Sequence, residues 1–219
     1  KVVGEGANLG TTQAGRIAFS LHGGRINTDF IDNSAGVDCS DNEVNIKIAL
    51  NKEMAEGRLP FDKRNALLES MTDAVGAIVL EDNRLQALGL SIAESGGAAD
   101  LASYVRLIET FEETGRLDRQ VEGLAANDQL LRRGQDGQGL TRPELAVLLS
   151  TAKLALQDAI EHGDLVRQCD GEPDAVLLVD ADRVRVETLV HLVQRERLGL
   201  RIELDQATLC RRRDEDVPV

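Results

Sequence analysis

The sequence has no tryptophan, one tyrosine and four phenylalanines among its 219 residues. A core so poor in rings has to be filled by Leu, Ile, Val and Ala, a palette that favours helices packed on helices with a modest α/β portion. Cysteine is scarce as well. Cys39, Cys169 and Cys210 lie far apart and form no C-x-x-C pair, which sets aside disulfide frameworks and cysteine metal sites and leaves reduced, cytoplasmic thiols as the expectation. The three histidines, His22, His162 and His191, have no partner at ligand or acid–base spacing, so no metal site is expected. No apolar run approaches the roughly 20 residues that span a bilayer. Basic residues are outnumbered, and the net charge of −13 excludes a general affinity for nucleic acid or an anionic membrane, since both need a basic face. A targeting segment is lacking too: the chain opens on Lys1-Val2-Val3-Gly4, inside an apolar run and without Met, and so reads as an internal piece of something longer.

The length allows one or two domains. Residues 1–50 read as α/β. Val2-Val3 looks like the end of a buried strand, followed by the loop Gly4-Glu5-Gly6-Ala7-Asn8-Leu9-Gly10. Thr11 or Thr12 can cap a short helix to about Leu21, which Gly23-Gly24 stops. Arg25 to Ile31 reads as a second strand, and 32–39 as a loop. Ser40-Asp41-Asn42-Glu43 fits a capping box, in which the serine oxygen accepts from an early helix N–H and the glutamate reaches back. The helix it opens carries Val44, Ile48 and Met54 on related faces.

From about residue 51 the pattern is helical. Leu67, Met71, Val75, Ile78 and Val79 recur at helical spacing, as do Leu101, Val105, Ile108 and Phe111. Thr141-Arg142-Pro143-Glu144 is another capping box, with proline in the first turn where its missing N–H costs nothing. Leu145, Leu148, Leu149, Ala152, Leu156 and Ile160 follow on one stripe. The Gly-rich segment 134–139 separates two helices. Further on, Ala175–Val179 suggests a strand, Val184–Leu198 a helix, and Arg211–Asp216 a frayed charged tail.

Two loops carry a family likeness. Gly4-Glu5-Gly6-Ala7-Asn8-Leu9-Gly10-Thr11-Thr12 resembles the E-G-A-N-x-x-T-T loop that follows a strand late in the nucleotide domain of glutamate dehydrogenases. Asn33-Ser34-Ala35-Gly36-Val37-Asp38-Cys39-Ser40-Asp41-Asn42-Glu43 resembles that superfamily's N-A-G-G-V-x-x-S-x-x-E. The segments Gly24–Asn33, Asp41–Lys47, Arg64–Leu68, Met71–Asp73 and Leu140–Leu149 are similar to the large, long-chain NAD-specific branch. The resemblance covers about residues 1–160 and is lost in the tail. Two departures stand out: Gly10 replaces the usual proline, and Ser34 and Ala35 replace Ala and Gly.

The resemblance implies NAD as cofactor and L-glutamate and 2-oxoglutarate as substrate and product. The reaction would be oxidative deamination of glutamate with release of ammonia. It places Gly6, Ala7 and Asn8 along the cofactor, Asn8 near the nicotinamide ribose and Asn33 near the nicotinamide amide. Ser40 would donate to the side-chain carboxylate of glutamate, and Val37 would pack on its carbon chain. The physical chemistry agrees: small residues let backbone approach a cofactor, and a carboxamide offers both a donor and an acceptor. A helix N-terminus also favours a carboxylate. The plainer readings stay open, with Asn8 and Asn33 as turn residues, Ser40 as a helix cap and Val37 as core. No catalytic residue is expected in this chain, because the family's lysine–aspartate pair would lie upstream of Lys1. Lys47 and Lys52 read as solvated.

The expected architecture is therefore an α/β Rossmann-type end segment followed by a mainly α-helical domain. Residues 1–50 would close the NAD-binding catalytic domain, 51–162 would form a helical C-terminal domain, and 163–219 are unassigned. The parent enzyme would be a homo-oligomer. A rival reading makes the chain a non-catalytic helical module for self-association or regulation. A third keeps the enzyme class with a branched-chain or aromatic amino acid as substrate, and Ser40 argues against it because an apolar side chain offers no carboxylate partner.

Overall fold

The residues that build the core are the helical repeats of the second half. A computed structural model describes residues 1–7 and 9–162. Among them the helices run in the order α1 (Gln13–Leu21), α2 (Asp29–Asp32), α3 (Ser34–Ala55), α4 (Phe61–Ser70), α5 (Thr72–Ser95), α6 (Leu101–Glu113), α7 (Asn127–Gln135) and α8 (Arg142–His162), with a 3-10 turn at Gly97–Asp100 before α6. Leu101, Val105, Ile108 and Phe111 are all buried on one face of α6, as their spacing predicts. In α8 the five consecutive residues Leu145–Leu149 are buried. A helix start enclosed on every side is a central element, and α8 packs on both α1 and α5.

The start of α8 is locked by its own sequence. The Glu144 carboxylate accepts from the Thr141 backbone N–H and hydroxyl, each at 2.8 Å. It also takes a two-pronged bond from Arg133 of α7 at 2.8 and 2.9 Å. Glu144 is fully buried, so this pairing keeps its charge compensated in the interior. Gly139 just upstream lies against the backbone of Gly97: a Cβ on Gly139 would come within 2.6 Å of the Gly97 carbonyl. Only glycine permits that approach.

The expected Rossmann-type α/β segment is overturned. Among the described residues there is no strand, only an isolated parallel bridge between Val2 and Arg25. Val3 N–H donates to the Arg25 carbonyl and Arg25 N–H to the Lys1 carbonyl, both at 2.9 Å. The pairing stops there because Thr28 leads into α2, so Arg25–Ile31 cannot continue as the predicted strand. One bridge is far from the multi-strand ladder a parallel sheet needs.

Two further expectations fail in α3. The predicted loop 32–39 is helical from Ser34, and Asn33 is the N-cap in place of Ser40. Ser40 lies in the helix interior and is exposed. Val44 and Ile48 are exposed as well, and α3 buries no residue fully although it packs along α5. By contrast Thr12 caps α1 as expected, its hydroxyl accepting from Gly15 N–H at 3.1 Å. The stripe through Leu67 and Val79 is divided at Met71 between α4 and α5. The predictions for Asn8, 175–179, 184–198 and 211–216 lie outside the described residues.

Candidate functional site

A cleft of about 330 Å³ opens where the start of α3, the middle of α5 and residues 149–153 of α8 converge. Phe30, Ile31 and Leu149 supply apolar wall; Asn33, Ser34, Asp38, Asp82, Gln86 and Lys153 are among its polar lining. Its size suits one small ligand or one end of a larger one.

Along the floor runs a chain of hydrogen bonds that starts at Lys153. Lys153 Nζ donates to Gln86 Oε1 at 2.5 Å, and Gln86 Nε2 donates to Ser34 Oγ at 2.9 Å. The single Ser34 hydroxyl proton has two acceptors in reach, Asn83 Oδ1 at 2.7 Å and the Ile31 carbonyl at 3.0 Å, and Asn83 Nδ2 donates to the Val79 carbonyl at 2.8 Å. The direction is dictated at its head: an ammonium has only donors, so the buried Gln86 amide must turn its oxygen to Lys153 and its nitrogen to Ser34.

The glycine loop lies beside the start of α3 and is wound round one carboxylate. Glu5 Oε1 accepts from the backbone N–H of Ala7 at 2.9 Å and of Gly10 at 3.3 Å, while Oε2 meets Arg16 Nη2 of α1. Glu5 and Arg16 are both buried, and Arg16 also reaches Asp29 at 3.5 Å. The Arg16 guanidinium is the main reason the Glu5 carboxyl is held below the usual carboxylate range; burial opposes it, and the two backbone bonds add to it. Asp32 ties the loop down from the other side, one oxygen accepting from Glu5 N–H and the other from Asn27. Asn27 is in turn held by Arg142 of α8 at 2.9 Å, and Arg142 also bonds Ser91 and Glu94 of α5. The loop, α5 and α8 are thus one connected frame.

Of the residues singled out in sequence, the structure brings Gly6, Asn33 and Val37 together. Gly6 packs against Asn33, where an added Cβ would sit 3.4 Å from the Asn33 Cβ. Asn33 and Val37 line the cleft, Val37 with most of its side chain exposed. Ala7 is exposed at the loop's tip and contributes its N–H to Glu5. Ser40 is not among the cleft-lining residues. Lys47 forms an i,i+4 pair with Glu43 at the surface, in keeping with a solvated role. Sequence reasoning missed Lys153, Gln86 and Asn83. A lone cation between Ala152 and Leu154 of an otherwise apolar stretch was the one available signal; no local spacing links it to residues near position 34.

Residues 1–93, which hold both loops and two of the cleft's three segments, match the model of the bacterial NAD-glutamate dehydrogenase catalytic domain. A protein of Pseudomonas aeruginosa named NAD-specific glutamate dehydrogenase is 52% identical over 160 residues, 73% of this chain and 10% of that protein. The chain belongs to the bacterial NAD-glutamate dehydrogenase family. Proteins of the same name from Halomonas elongata and Mycobacterium tuberculosis are 41% and 45% identical, over 94% and 77% of the chain. The Halomonas match therefore reaches past residue 162 into the tail. The chain spans only 10% to 13% of the length of these relatives. Among the described residues no helix is long and apolar enough to cross a membrane, and no group of His, Cys, Asp or Glu is arranged to hold a metal ion.

Proposed function

We propose that this chain supplies cofactor- and substrate-positioning parts of an NAD-specific glutamate dehydrogenase, which oxidatively deaminates L-glutamate to 2-oxoglutarate and ammonia. The observation that carries the proposal is the meeting of Gly6 with Asn33 at the edge of the cleft. The two loops that carry the family likeness come together where a ligand can reach them.

The residues present fit one end of NAD. Asn33, at the start of α3, offers a carboxamide that can pair with the nicotinamide amide. Gly6 has no side chain to hold the cofactor away, and Glu5 ties down the same loop by accepting from the Ala7 and Gly10 N–H groups. When bound, NAD accepts the hydride. Val37 forms apolar wall for the carbon chain of glutamate, and Ser40 is the proposed donor to its side-chain carboxylate. These residues orient and hold; the acid–base groups are expected elsewhere in the enzyme. Such positioning is worth several kcal/mol of barrier without any bond being broken by these side chains. By family likeness the whole enzyme is a cytoplasmic homo-oligomer.

The test is NADH titration of the full-length enzyme by fluorescence, comparing wild type with Asn33→Ala. Removal of one carboxamide that pairs with the cofactor should weaken binding roughly tenfold. Unchanged affinity would remove Asn33 from the cofactor site.

A further inference from the structure

We infer that Lys153 of α8 is a positioning residue for the cofactor end of the cleft, acting through Gln86 and Ser34 on the first turn of α3. The inference rests on the reading of the cleft as the NAD and glutamate site. It assigns a functional part to a helix beyond residues 1–93, the stretch that matches the catalytic domain.

The start of α3 departs from the wider family pattern. Where the wider family pattern has alanine, this chain has Ser34, directly after Asn33. In the structure that hydroxyl meets three partners: the Ile31 carbonyl, Asn83 and Gln86. Both side-chain partners belong to α5, so Ser34 fastens the start of α3 to that helix at a point where α3 buries no residue fully. Packing alone does not fix this end; hydrogen bonds do.

Gln86 is buried, and its amide is useful to Ser34 only in the orientation that presents Nε2. A flipped amide would turn Oε1 toward the serine and reverse the chain. Lys153 holds the productive orientation, because its ammonium can only donate and so selects the amide oxygen. From Lys153 through Gln86 to Ser34 the donors are aligned head to tail, so the first bond polarises the second. The result is a fixed position for Ser34 and hence for its neighbour Asn33, whose carboxamide the cofactor requires. Lys153, Gln86, Ser34 and Asn33 all line the same cleft, so a ligand's geometry is sensitive to any slackening among them.

The test uses the full-length enzyme and steady-state glutamate oxidation, with melting temperature measured on each variant. Lys153→Met should lower kcat/KM for NAD by about tenfold, because misplacement of a positioning group by a fraction of an ångström costs on that order. Lys153→Arg, which keeps an obligate donor, should recover most of the loss. Ser34→Ala removes only the hydroxyl and favours helix at a helical position, and should give a loss of the same sign. In the Ser34→Ala background, Lys153→Met should then have little further effect, since the chain is already cut. Lys47→Met, on the outer surface of α3, is the control and should leave kinetics unchanged.

A fall in melting temperature with KM and kcat unmoved in both Lys153→Met and Ser34→Ala would overturn the inference. So would full additivity of the two substitutions. If Lys153→Met does not fold, Ser34→Ala alone decides, with wild-type kcat/KM for NAD refuting the positioning role. Absence of glutamate-dependent activity in the wild type is a different result: it would remove the proposed function itself, and the inference with it.

Discussion

Gly6 and Asn33 touch: a Cβ built on the glycine would lie 3.4 Å from that of the asparagine. The contact joins the glycine loop to the cap of α3 and leaves room for a methyl group at van der Waals distance but not for a branched side chain. Gly6→Ala should therefore be nearly silent. Gly6→Val should push Asn33 aside and weaken NAD binding about tenfold or more, measured by NADH titration, because small displacements at a positioning group are costly. Equal affinity in Gly6→Val would show that the contact has no bearing on the cofactor.

The Glu5–Arg16 pair gives the loop a pH dependence whose sign follows from the pairing. Arg16 lowers the Glu5 pKa in the folded state, so protons bind the unfolded chain more readily than the folded one. The stabilisation is complete above the ordinary carboxylate value and is lost as pH falls through the lower folded value. Hydrogen exchange in residues 5–21, corrected for intrinsic rate, should report protection that weakens as pH falls below the ordinary glutamate value of 4.5. In Glu5→Gln the same segment should be less protected at neutral pH and much less sensitive to acid. An acid response identical in both proteins would locate the dependence elsewhere.

Arg133 neutralises a carboxylate that has no access to water, since Glu144 is fully buried. Arg133→Met leaves Glu144 with only the Thr141 donors. The opening free energy of the first turns of α8, measured by hydrogen exchange, should fall by about 3 kcal/mol, the scale for breaking one side of a buried pair. A change under about 0.5 kcal/mol would mean that the Thr141 donors alone hold the Glu144 carboxylate.

Ser40 separates a substrate contact from a surface residue. As a donor to the glutamate side-chain carboxylate, its loss in Ser40→Ala should lower kcat/KM for glutamate about tenfold or more with NAD affinity intact, since hydrogen bonds to charged groups are the strong ones. Its place inside α3, exposed and outside the cleft lining, makes the opposite result informative. Unchanged kinetics with a few tenths of a kcal/mol gained in helix stability is what Ala does at an exposed helical site.

How much of this the sequence revealed depends on whether the deciding interaction is local. The α6 face was legible because Leu101, Val105, Ile108 and Phe111 repeat with the helix itself. The start of α8 was legible because Thr141 and Glu144 satisfy each other within one turn. The start of α3 was not. Ser40-x-x-Glu43 carries the local capping pattern, yet the helix begins at Ser34, whose partners Asn83 and Gln86 come from α5. Likewise Arg25–Ile31 has strand-like residues, but Asp29 and Asp32 serve the N–H groups of Leu9 and Glu5 and sit in a helical turn. Gly6, Asn33 and Val37 were found through family motifs; Lys153 was invisible because its role depends on a contact far away in sequence.

The most direct test of the central claim is glutamate-dependent NADH formation by the full-length enzyme, comparing wild type with Asn33→Ala. Clear activity in the wild type and a loss of about tenfold or more in kcat/KM for NAD in the variant are expected. Wild-type kinetics in Asn33→Ala, or no glutamate-dependent NADH from the wild type, would contradict the claim.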